Sequence, residues 1–199
     1  CSSDLMYQEC QSLAVHWGAR FAQANTSLYD LGCSTGSLLL KLANSIDKNK
    51  NTLLYGVDSS SAMLEKSRIK LKESPIPCNL LEVDLNKEIS IQNASVVLMN
   101  YTLQFILPER RIPLLKSIFA GLVPGGSLVL IEKIKSGVDH DLWIKLAVIN
   151  PKVDIHWGDG AVVGNDISIK RLTTNEEHRV KNIQHSLDIW KPLIVKTFG

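Results

Sequence analysis

The sequence is poor in the features that mark membrane, secreted and metal-binding proteins. It has no run of about 18 apolar residues, the length that a membrane-spanning helix requires. Its first residues, from Cys1 and Ser2 onward, lack the basic stretch and apolar core of a signal peptide, so none is expected here. Its 4 cysteines form no Cys-x-x-Cys pair and no zinc-ligand spacing. Scattered cysteines in a well-filled domain are typical of a reducing compartment, which predicts a cytoplasmic protein without a metal site.

An excess of charge of one sign is also missing. The 22 basic and 20 acidic residues leave a net charge of +2, without the basic face that nucleic-acid binding requires. We therefore expect no direct contact with nucleic acid, and the missing apolar run likewise predicts no membrane partner. Hydrophobic residues make up 45% of the 199 residues and charged residues 21%, which is the balance of one globular domain. The prediction is a single domain over residues 1–199.

Five short apolar runs alternate with helical patterns. The predicted strands are Ser27–Leu31, Thr52–Val57, Asn79–Val83, Ser95–Asn100 and Ser127–Ile131. The predicted helices are Leu5–Ala22, ahead of the first strand, and then Ser37–Ile46, Ser61–Lys72 and Pro108–Leu122. Strands and helices that alternate in this way form βαβ units around a parallel sheet. The predicted fold class is α/β, a Rossmann-like three-layer αβα sandwich with a mostly parallel sheet.

The pattern weakens from Gly137 onward. The segments there are interpreted as a helix at Asp141–Val148, a loop at Asn150–Val163, a helix at Asn175–Gln184 and a last strand near Leu193–Thr197. Residues 1–26 are expected to supply the leading helix. Residues 137–199 are expected to form a divergent part of the same domain, which covers the substrate and adds the last strands.

The strongest functional signal is Asp30-x-Gly32-x-x-x-Gly36, which joins the first strand to a helix. The glycines allow a tight turn and the close approach of a ligand, at the sheet edge where open α/β sheets bind ligands. The pattern differs from the Gly-x-Gly-x-x-Gly of dinucleotide sites, which places a pyrophosphate at a helix N-terminus. Asp30 disfavours a pyrophosphate and suits an ammonium or sulfonium group, directly or through water. A nucleoside that carries an amino acid fits better, although a structural strand–turn–helix corner also explains the glycines.

Polar residues end the next three predicted strands as well. Asp58, after the second strand, is placed to accept the ribose hydroxyls of a nucleoside, or it belongs to the N-cap region of the next helix. Asp84 follows the third strand and is placed to accept an adenine amino group. Asn100 and Tyr101 follow the fourth strand. Because these ends meet at one edge of a parallel sheet, they predict one cofactor site.

These motifs, together with Pro124-Gly125-Gly126, resemble the class I S-adenosylmethionine-dependent methyltransferases. Within that superfamily, three stretches are similar to carboxy-S-adenosylmethionine synthase, which makes the carboxymethyl donor for modifying wobble uridine in tRNA. The stretches are Tyr29–Gly36, Asn93–Asn100 and Thr102–Phe105 with Pro108, Glu109 and Arg110 behind. The resemblance covers the chain from Tyr7 to Lys133 and fades beyond that point.

The resemblance implies S-adenosylmethionine, or its carboxylated form, as cofactor. It implies that the Gly-Cys-Ser loop holds the amino-acid end, that the acids after strands two and three hold ribose and adenine, and that the asparagine after strand four lines the pocket. The match of Tyr7 is weaker, and simple packing is the alternative for it. The predicted cofactor-binding residues are Tyr7, Asp30, Gly32, Cys33, Ser34, Gly36, Asp58, Ser59, Met63, Asp84, Leu85 and Asn100.

The predicted catalytic residues are Arg171 and Tyr101. The resemblance implies an arginine in the C-terminal part that binds the added carboxylate, and Arg171 is the candidate, with a surface arginine as the alternative. Prephenate is then the small-molecule carboxyl source, and a homodimer is the expected assembly. Cys33 has no paired histidine and is interpreted as a small wall residue rather than a nucleophile. Two other functions stay open: an ordinary small-molecule methyltransferase, and a catalytically silent cofactor-binding partner subunit.

Overall fold

The computed structural model describes residues 2–135, 142–149 and 167–171. Its helices are α1 (Ser2–Phe21), α2 (Ser37–Ser45), α3 (Ser61–Lys70) and α4 (Pro108–Gly121). Its strands are β1 (Ser27–Leu31), β2 (Leu53–Asp58), β3 (Cys78–Glu82), β4 (Ala94–Asn100), β5 (Leu122–Lys135), β6 (Leu142–Ile149) and β7 (Ile167–Arg171). Short 3-10 helices lie at Lys48–Lys50, Leu71–Glu73 and Leu103–Phe105. Within the described ranges, no helix has both the length and the apolar character that crossing a membrane requires.

The strands form one sheet in the order β3-β2-β1-β4-β5-β6-β7. Strands β1 to β5 pair in parallel, and β6 and β7 add to the sheet antiparallel. The predicted α/β class with a mostly parallel sheet is confirmed. The chain builds outward from β1 through β2 to β3 and then returns to place β4 on the other side of β1. This reversal opens a crevice at the carboxyl ends of β1 and β4, where sheets of this kind bind ligands.

The two central strands are buried on both faces. All five residues of β1 are buried, as are the first six of β4. Leu28 packs on one face of the sheet with Leu39 and Leu42 of α2, whereas Leu31 packs on the other face with Ile118 of α4. Strands covered in this way need a continuous apolar run rather than an alternating one. The three-layer arrangement follows, with α1 and α2 on one side of the sheet and α4 on the other.

The end of the described chain differs from the sequence-based expectation. The helix predicted for Asp141–Val148 is wrong, because Leu142–Ile149 forms β6 and pairs antiparallel with β5. The segment is short and almost wholly apolar, a pattern that fits a strand as well as a helix, and pairing satisfies the backbone groups of an otherwise open β5 edge. The other segments predicted in this part, at Asn150–Val163, Asn175–Gln184 and Leu193–Thr197, lie outside the described residues.

The predicted Pro124-Gly125-Gly126 turn lies inside β5. The pairing of β4 with β5 runs from Ala94 opposite Leu122 to Val96 opposite Ser127, so the register shifts across this segment. Gly125 adopts a φ of 79° there, a left-handed conformation that glycine tolerates at no steric cost. The extra residues are therefore accommodated as an irregularity of the strand rather than as a separate turn before it.

A substitution at Gly121, the last residue of α4, tests how closely this helix packs against the backbone of Ile91. A β-carbon at this position would lie 2.2 Å from the carbonyl oxygen of Ile91 and 2.6 Å from its carbonyl carbon, and both atoms belong to the backbone. We expect Gly121→Ala to lower the free energy of unfolding by about 1–3 kcal/mol, measured by urea denaturation. The exposed Lys116→Ala on the same helix should change it by less than about 0.5 kcal/mol. Equal effects of the two substitutions would contradict this packing.

Candidate functional site

A groove of about 400 Å³ lies at the carboxyl ends of the parallel strands, beside the point where the strand order reverses. Residues that follow β1, β2, β3 and β4 meet there, together with one residue of α1. The lining residues are Tyr7, Gly32, Ser34, Asp58, Ser59, Val83, Asp84, Leu85, Asn86, Asn100, Tyr101, Thr102, Phe105 and Ile106. The structure thus brings together most of the predicted cofactor-binding residues. Four residues of that set are not among the lining residues, namely Asp30, Cys33, Gly36 and Met63.

The loop after β1 passes between two neighbouring elements with no room for a side chain. Gly32 has a φ of 82°, and a β-carbon on it would lie 2.4 Å from Oγ1 of Thr102. Its backbone N–H donates to the carbonyl oxygen of Val57 over 2.7 Å. Gly36 has a φ of 73°, and its β-carbon would lie 2.3 Å from Oγ of Ser67. Both motif glycines are therefore required by the close approach of other parts of the chain.

Asp58 holds this loop against the start of α3. Its Oδ2 accepts the backbone N–H of Ser34 at 2.9 Å, and its Oδ1 accepts that of Ser60 at 2.9 Å. Ser60 is the residue that caps α3, where its side chain accepts from the N–H of Met63. Each oxygen of a carboxylate has a second lone pair, so Asp58 keeps acceptor capacity toward the groove. Asp58 thus belongs to the start of the helix, as one of the two interpretations had it, and it also lines the groove, whereas its contact with ribose stays a prediction.

The thioether of Met63 lies beside the loop rather than in the groove lining. Its Sδ accepts from the hydroxyl of Ser34 at 3.8 Å, and Ser34 itself faces the groove. Met63 therefore contacts a lining residue from behind. Ser59, which precedes the helix cap, faces the groove directly.

The acid after β3 is held in its ionised form. Oδ1 of Asp84 accepts the backbone N–H of Asn86 at 3.0 Å and its side-chain amide at 3.1 Å. These hydrogen bonds, the backbone one first, lower the pKa of Asp84 below its usual value. Asn86 also accepts the N–H of Leu107 at 2.8 Å, which fixes the rim of the groove. The groove therefore offers a carboxylate acceptor flanked by the apolar residues Val83 and Leu85.

Asp30 lies behind the loop and not in the groove wall. It is 1% exposed, on the face of β1 that α1 and α2 cover, and neither carboxylate oxygen has a hydrogen-bond partner among the described residues. Burial, and secondarily the charge of Asp58, raises the pKa of Asp30 to about 7. Its charge therefore changes near neutral pH.

Cys33 is also buried. Burial first, and then the charges of Asp30 and Asp58, raise the pKa of its thiol well above the usual value. The reactive thiolate is therefore disfavoured. Among the residues that the structure describes, no three His, Cys, Asp or Glu side chains are grouped in a way that could hold a metal ion.

An aromatic pair closes one side of the groove. Tyr101 has a φ of 58°, which is strained for a residue with a side chain, and its ring stacks on that of Tyr7 with centroids 6.0 Å apart. The Tyr101 hydroxyl donates to Sγ of Cys10 at 3.1 Å, toward α1. Burial raises the pKa of Tyr101 far above its usual value. These contacts suit an aromatic wall better than a proton-transfer group. Beside the pair, the buried Oδ1 of Asn100 has no partner within the described part of the chain.

Arg171 is the last residue of β7, where it lies opposite Trp143 of β6. Trp143 in turn lies opposite Ile134 of β5, three residues beyond the partner of Asn100. The backbone of Arg171 is therefore on the carboxyl side of the sheet, about 14 Å across it from β4 at the usual strand spacing. The side chain of Arg171 lies outside what the structure describes, so its role stays a prediction.

Several lining residues were not predicted. Val83, Asn86, Thr102, Phe105 and Ile106 all face the groove. Each lies within a few residues of a predicted strand end, which was the available signal. Phe105 is 74% exposed although it is aromatic, and this exposure at the rim becomes evident only in the folded chain.

Comparison with known proteins finds a family match over about half of the chain. The family described as a methyltransferase domain matches residues 28–126. The chain is 46% identical over 116 residues to a carboxy-S-adenosyl-L-methionine synthase of Aliivibrio fischeri. This alignment covers 57% of this chain and 47% of the relative. The chain is 47% identical over 129 residues to the synthase of Citrobacter koseri, covering 64% and 51% of the two chains. The chain thus spans about half the length of the curated relatives it matches.

Solved structures agree on the fold. A cyclopropane synthase of Mycobacterium tuberculosis superimposes with a TM-score of 0.54 at 15% identity, over 63% of this chain and 42% of that one. A Methanococcus maripaludis protein assigned to the S-adenosyl-L-methionine-dependent methyltransferases gives 0.52 at 17% identity, over 64% and 57%. Identities this low support the fold alone.

The fold and the sequence relatives agree with the family indicated by the motifs, and that prediction is confirmed. Residues 28–126 match the methyltransferase-domain family, in a chain related by sequence to the carboxy-S-adenosyl-L-methionine synthases.

Proposed function

We propose that this chain binds S-adenosylmethionine in the groove and uses it, with prephenate, to make carboxy-S-adenosylmethionine. The observation that carries the binding proposal is the convergence of Asp58, Asp84 and Asn100 on one groove next to the glycine loop. The synthase activity is supported by the 46% and 47% identity to relatives of that name over the shared part of the chains.

The groove suits the three parts of this ligand. Asp58 follows β2 and retains acceptor capacity for the ribose hydroxyls. Val83 and Leu85 offer apolar contact to the adenine ring, and the ionised Asp84 between them offers an acceptor for the adenine amino group. The unpartnered buried oxygen of Asn100 calls for a donor, since a buried polar group without a hydrogen bond is costly. The amino group of the ligand is such a donor.

Several groups favour a positively charged ligand. Tyr7 and Tyr101 present a stacked aromatic wall, and aromatic faces attract cations. Asp30, when ionised, places a negative charge behind the loop. We propose that Arg171 neutralises the added carboxylate, a charge-assisted and often bidentate contact.

The proposed reaction needs little covalent chemistry from the protein. Bound S-adenosylmethionine supplies a methyl group whose C–H bonds are acidified by the adjacent sulfonium. The methyl would lose a proton and form a C–C bond to the ring carboxyl carbon of prephenate, whose bond to the ring would break. The ring hydroxyl would leave with that proton as water, and the ring would become the aromatic ring of phenylpyruvate. The chain itself binds and orients the two reactants, and such positioning supplies much of the rate.

Mass spectrometry distinguishes this activity from its rivals. Incubation of the protein with S-adenosylmethionine and prephenate should yield carboxy-S-adenosylmethionine, and omission of prephenate should abolish it. Methyl transfer to an acceptor, with no carboxylated product, would identify an ordinary methyltransferase instead. A bound cofactor without turnover on any substrate, together with a co-purifying enzyme, would identify a silent partner subunit.

The ribose contact can be tested by calorimetry. Asp58→Ala removes a charged acceptor worth about 1.5–3 kcal/mol, so we expect the affinity for S-adenosylmethionine to fall several-fold to about a hundredfold. Asp47 also accepts a backbone N–H, that of Asn49, but lies outside the groove lining. Asp47→Ala should therefore leave the affinity unchanged. An unaltered affinity in Asp58→Ala would show that the ribose lies elsewhere.

Asp30 predicts a pH dependence of cofactor binding. Because its pKa is raised to about 7, the carboxyl is mostly neutral at pH 6 and mostly ionised at pH 8. The ionised form attracts a cationic ligand, so the affinity for S-adenosylmethionine should rise between these two values. Asp30→Asn stays neutral and should show a smaller rise, measured by calorimetry across the same range. An identical rise in the two proteins would exclude Asp30 as its source.

A further inference from the structure

One wall of the groove is a turn that the proposed reaction leaves unexplained. The turn after β4, residues 101–105, contributes Tyr101, Thr102 and Phe105 to the lining. It starts with the strained backbone of Tyr101 and continues into the 3-10 helix Leu103–Phe105. A strained start of this kind persists only where surrounding contacts determine it. We call this segment the β4 turn.

Three hydrogen bonds, which we call anchors, fix the β4 turn to the neighbouring strands β1 and β5. The N–H of Tyr101 donates to the carbonyl oxygen of Ile131 at 2.8 Å. The hydroxyl of Thr102 donates to the carbonyl oxygen of Leu31 at 2.7 Å. The third anchor is Glu132 of β5, whose Oε1 accepts the N–H of Leu103.

Glu132 differs from the other two anchors because it is a buried acid. It is 6% exposed, and besides Leu103 the backbone N–H groups of Thr102 and Gln104 act on its carboxylate. A buried carboxylate is costly unless hydrogen bonds satisfy it, and buried backbone N–H groups need acceptors in turn. The N–H groups of the β4 turn and the carboxylate of Glu132 therefore supply each other's hydrogen-bond partners. A residue whose part was only to pair within β5 would not need this side-chain contact.

We propose that Glu132 is a positioning residue for the cofactor groove: its carboxylate gathers the N–H groups of the β4 turn and thereby sets the wall formed by Tyr101 and Phe105. The effect on the cofactor rests on the proposed function, whereas the effect on the turn does not. Glu132 is absent from the groove lining, so it acts through the turn and not by touching the ligand.

Among the side chains that the structure describes, the charged and titratable groups that act on Glu132 come from α4 and from the β4 turn. Arg111 of α4 acts on it with an opposite charge, and Tyr101 lies in the turn itself. In β6, the backbone of Lys145 lies opposite that of Glu132. Burial outweighs the hydrogen bonds of the turn and the charge of Arg111 and raises the pKa of Glu132 to about 7. The carboxylate thus gains its proton as the pH falls through neutrality, and the β4 turn should then loosen.

Hydrogen exchange tests the link to the turn without any ligand. At pH 8, Glu132→Gln should increase the exchange rate of the amides of residues 102–104 by about fivefold or more, because the neutral amide cannot accept all their N–H groups. Glu82→Gln changes an exposed acid at the end of β3 and should leave these rates unchanged. Unaltered exchange in Glu132→Gln would overturn the proposal.

If the Glu132→Gln protein does not fold, hydrogen exchange of the unsubstituted protein at two pH values provides the test. The unsubstituted protein can then be compared at pH 6 and pH 8, with rates corrected for the intrinsic pH dependence of exchange. Protection of the amides of residues 102–104 should be greater at pH 8. Protection that does not change with pH would overturn the proposal in this case.

Calorimetry tests the consequence for the groove. At pH 8, Glu132→Gln should bind S-adenosylmethionine about three- to tenfold more weakly than the unsubstituted protein. In an Asp30→Asn background, the remaining rise of affinity between pH 6 and pH 8 should disappear when Glu132→Gln is added. Full affinity and an unchanged pH profile in Glu132→Gln would overturn the positioning role. If the unsubstituted protein binds no S-adenosylmethionine, the proposed function fails, while the exchange experiment still decides the role of Glu132.

Discussion

The carboxylate of Asp58 joins two loops that come from different strands, and the shape of the groove depends on this junction. One oxygen accepts the N–H of Ser34 from the loop after β1, and the other accepts the N–H of Ser60 at the cap of α3. The loop can follow this path only because Gly32 and Gly36 leave no side chain in the way. One charged group therefore organises a wall of the groove and still offers lone pairs to a ligand.

The features that could be predicted from the sequence depend on local periodicity and on sheet topology. Buried parallel strands require continuous apolar runs, so β1 and β4 were evident, and their ends had to meet because parallel strands share a carboxyl edge. For the same reason it could be predicted from the sequence that one groove contains Asp58, Asp84 and Asn100. The segment Leu142–Ile149 was misread as a helix because it is short and almost wholly apolar, and periodicity alone does not separate a short strand from a helix.

The features that could not be predicted depend on how distant segments pack. Asp30 belongs to the motif, yet only the folded sheet shows that its carboxyl is buried behind the loop and titrates near neutral pH. Glu132 gave no sequence signal, because its partners belong to a turn 29 residues earlier in the chain. The exposure of Phe105 at the rim is likewise a property of the assembled groove. Asp30 and Glu132, the two acids with raised pKa values, thus lie behind the residues that line the groove and are not themselves part of its lining.

The central claim is that the four strand ends form one groove for an adenosine that bears a charged amino-acid chain. A crystal structure of the protein with S-adenosylhomocysteine tests it most directly. We expect ribose hydroxyls within hydrogen-bonding distance of Asp58, the adenine between Val83 and Leu85 with its amino group at Asp84, and the amino-acid end at the loop of Gly32. A ligand bound outside the groove, or one inside it with none of these contacts, would contradict the account.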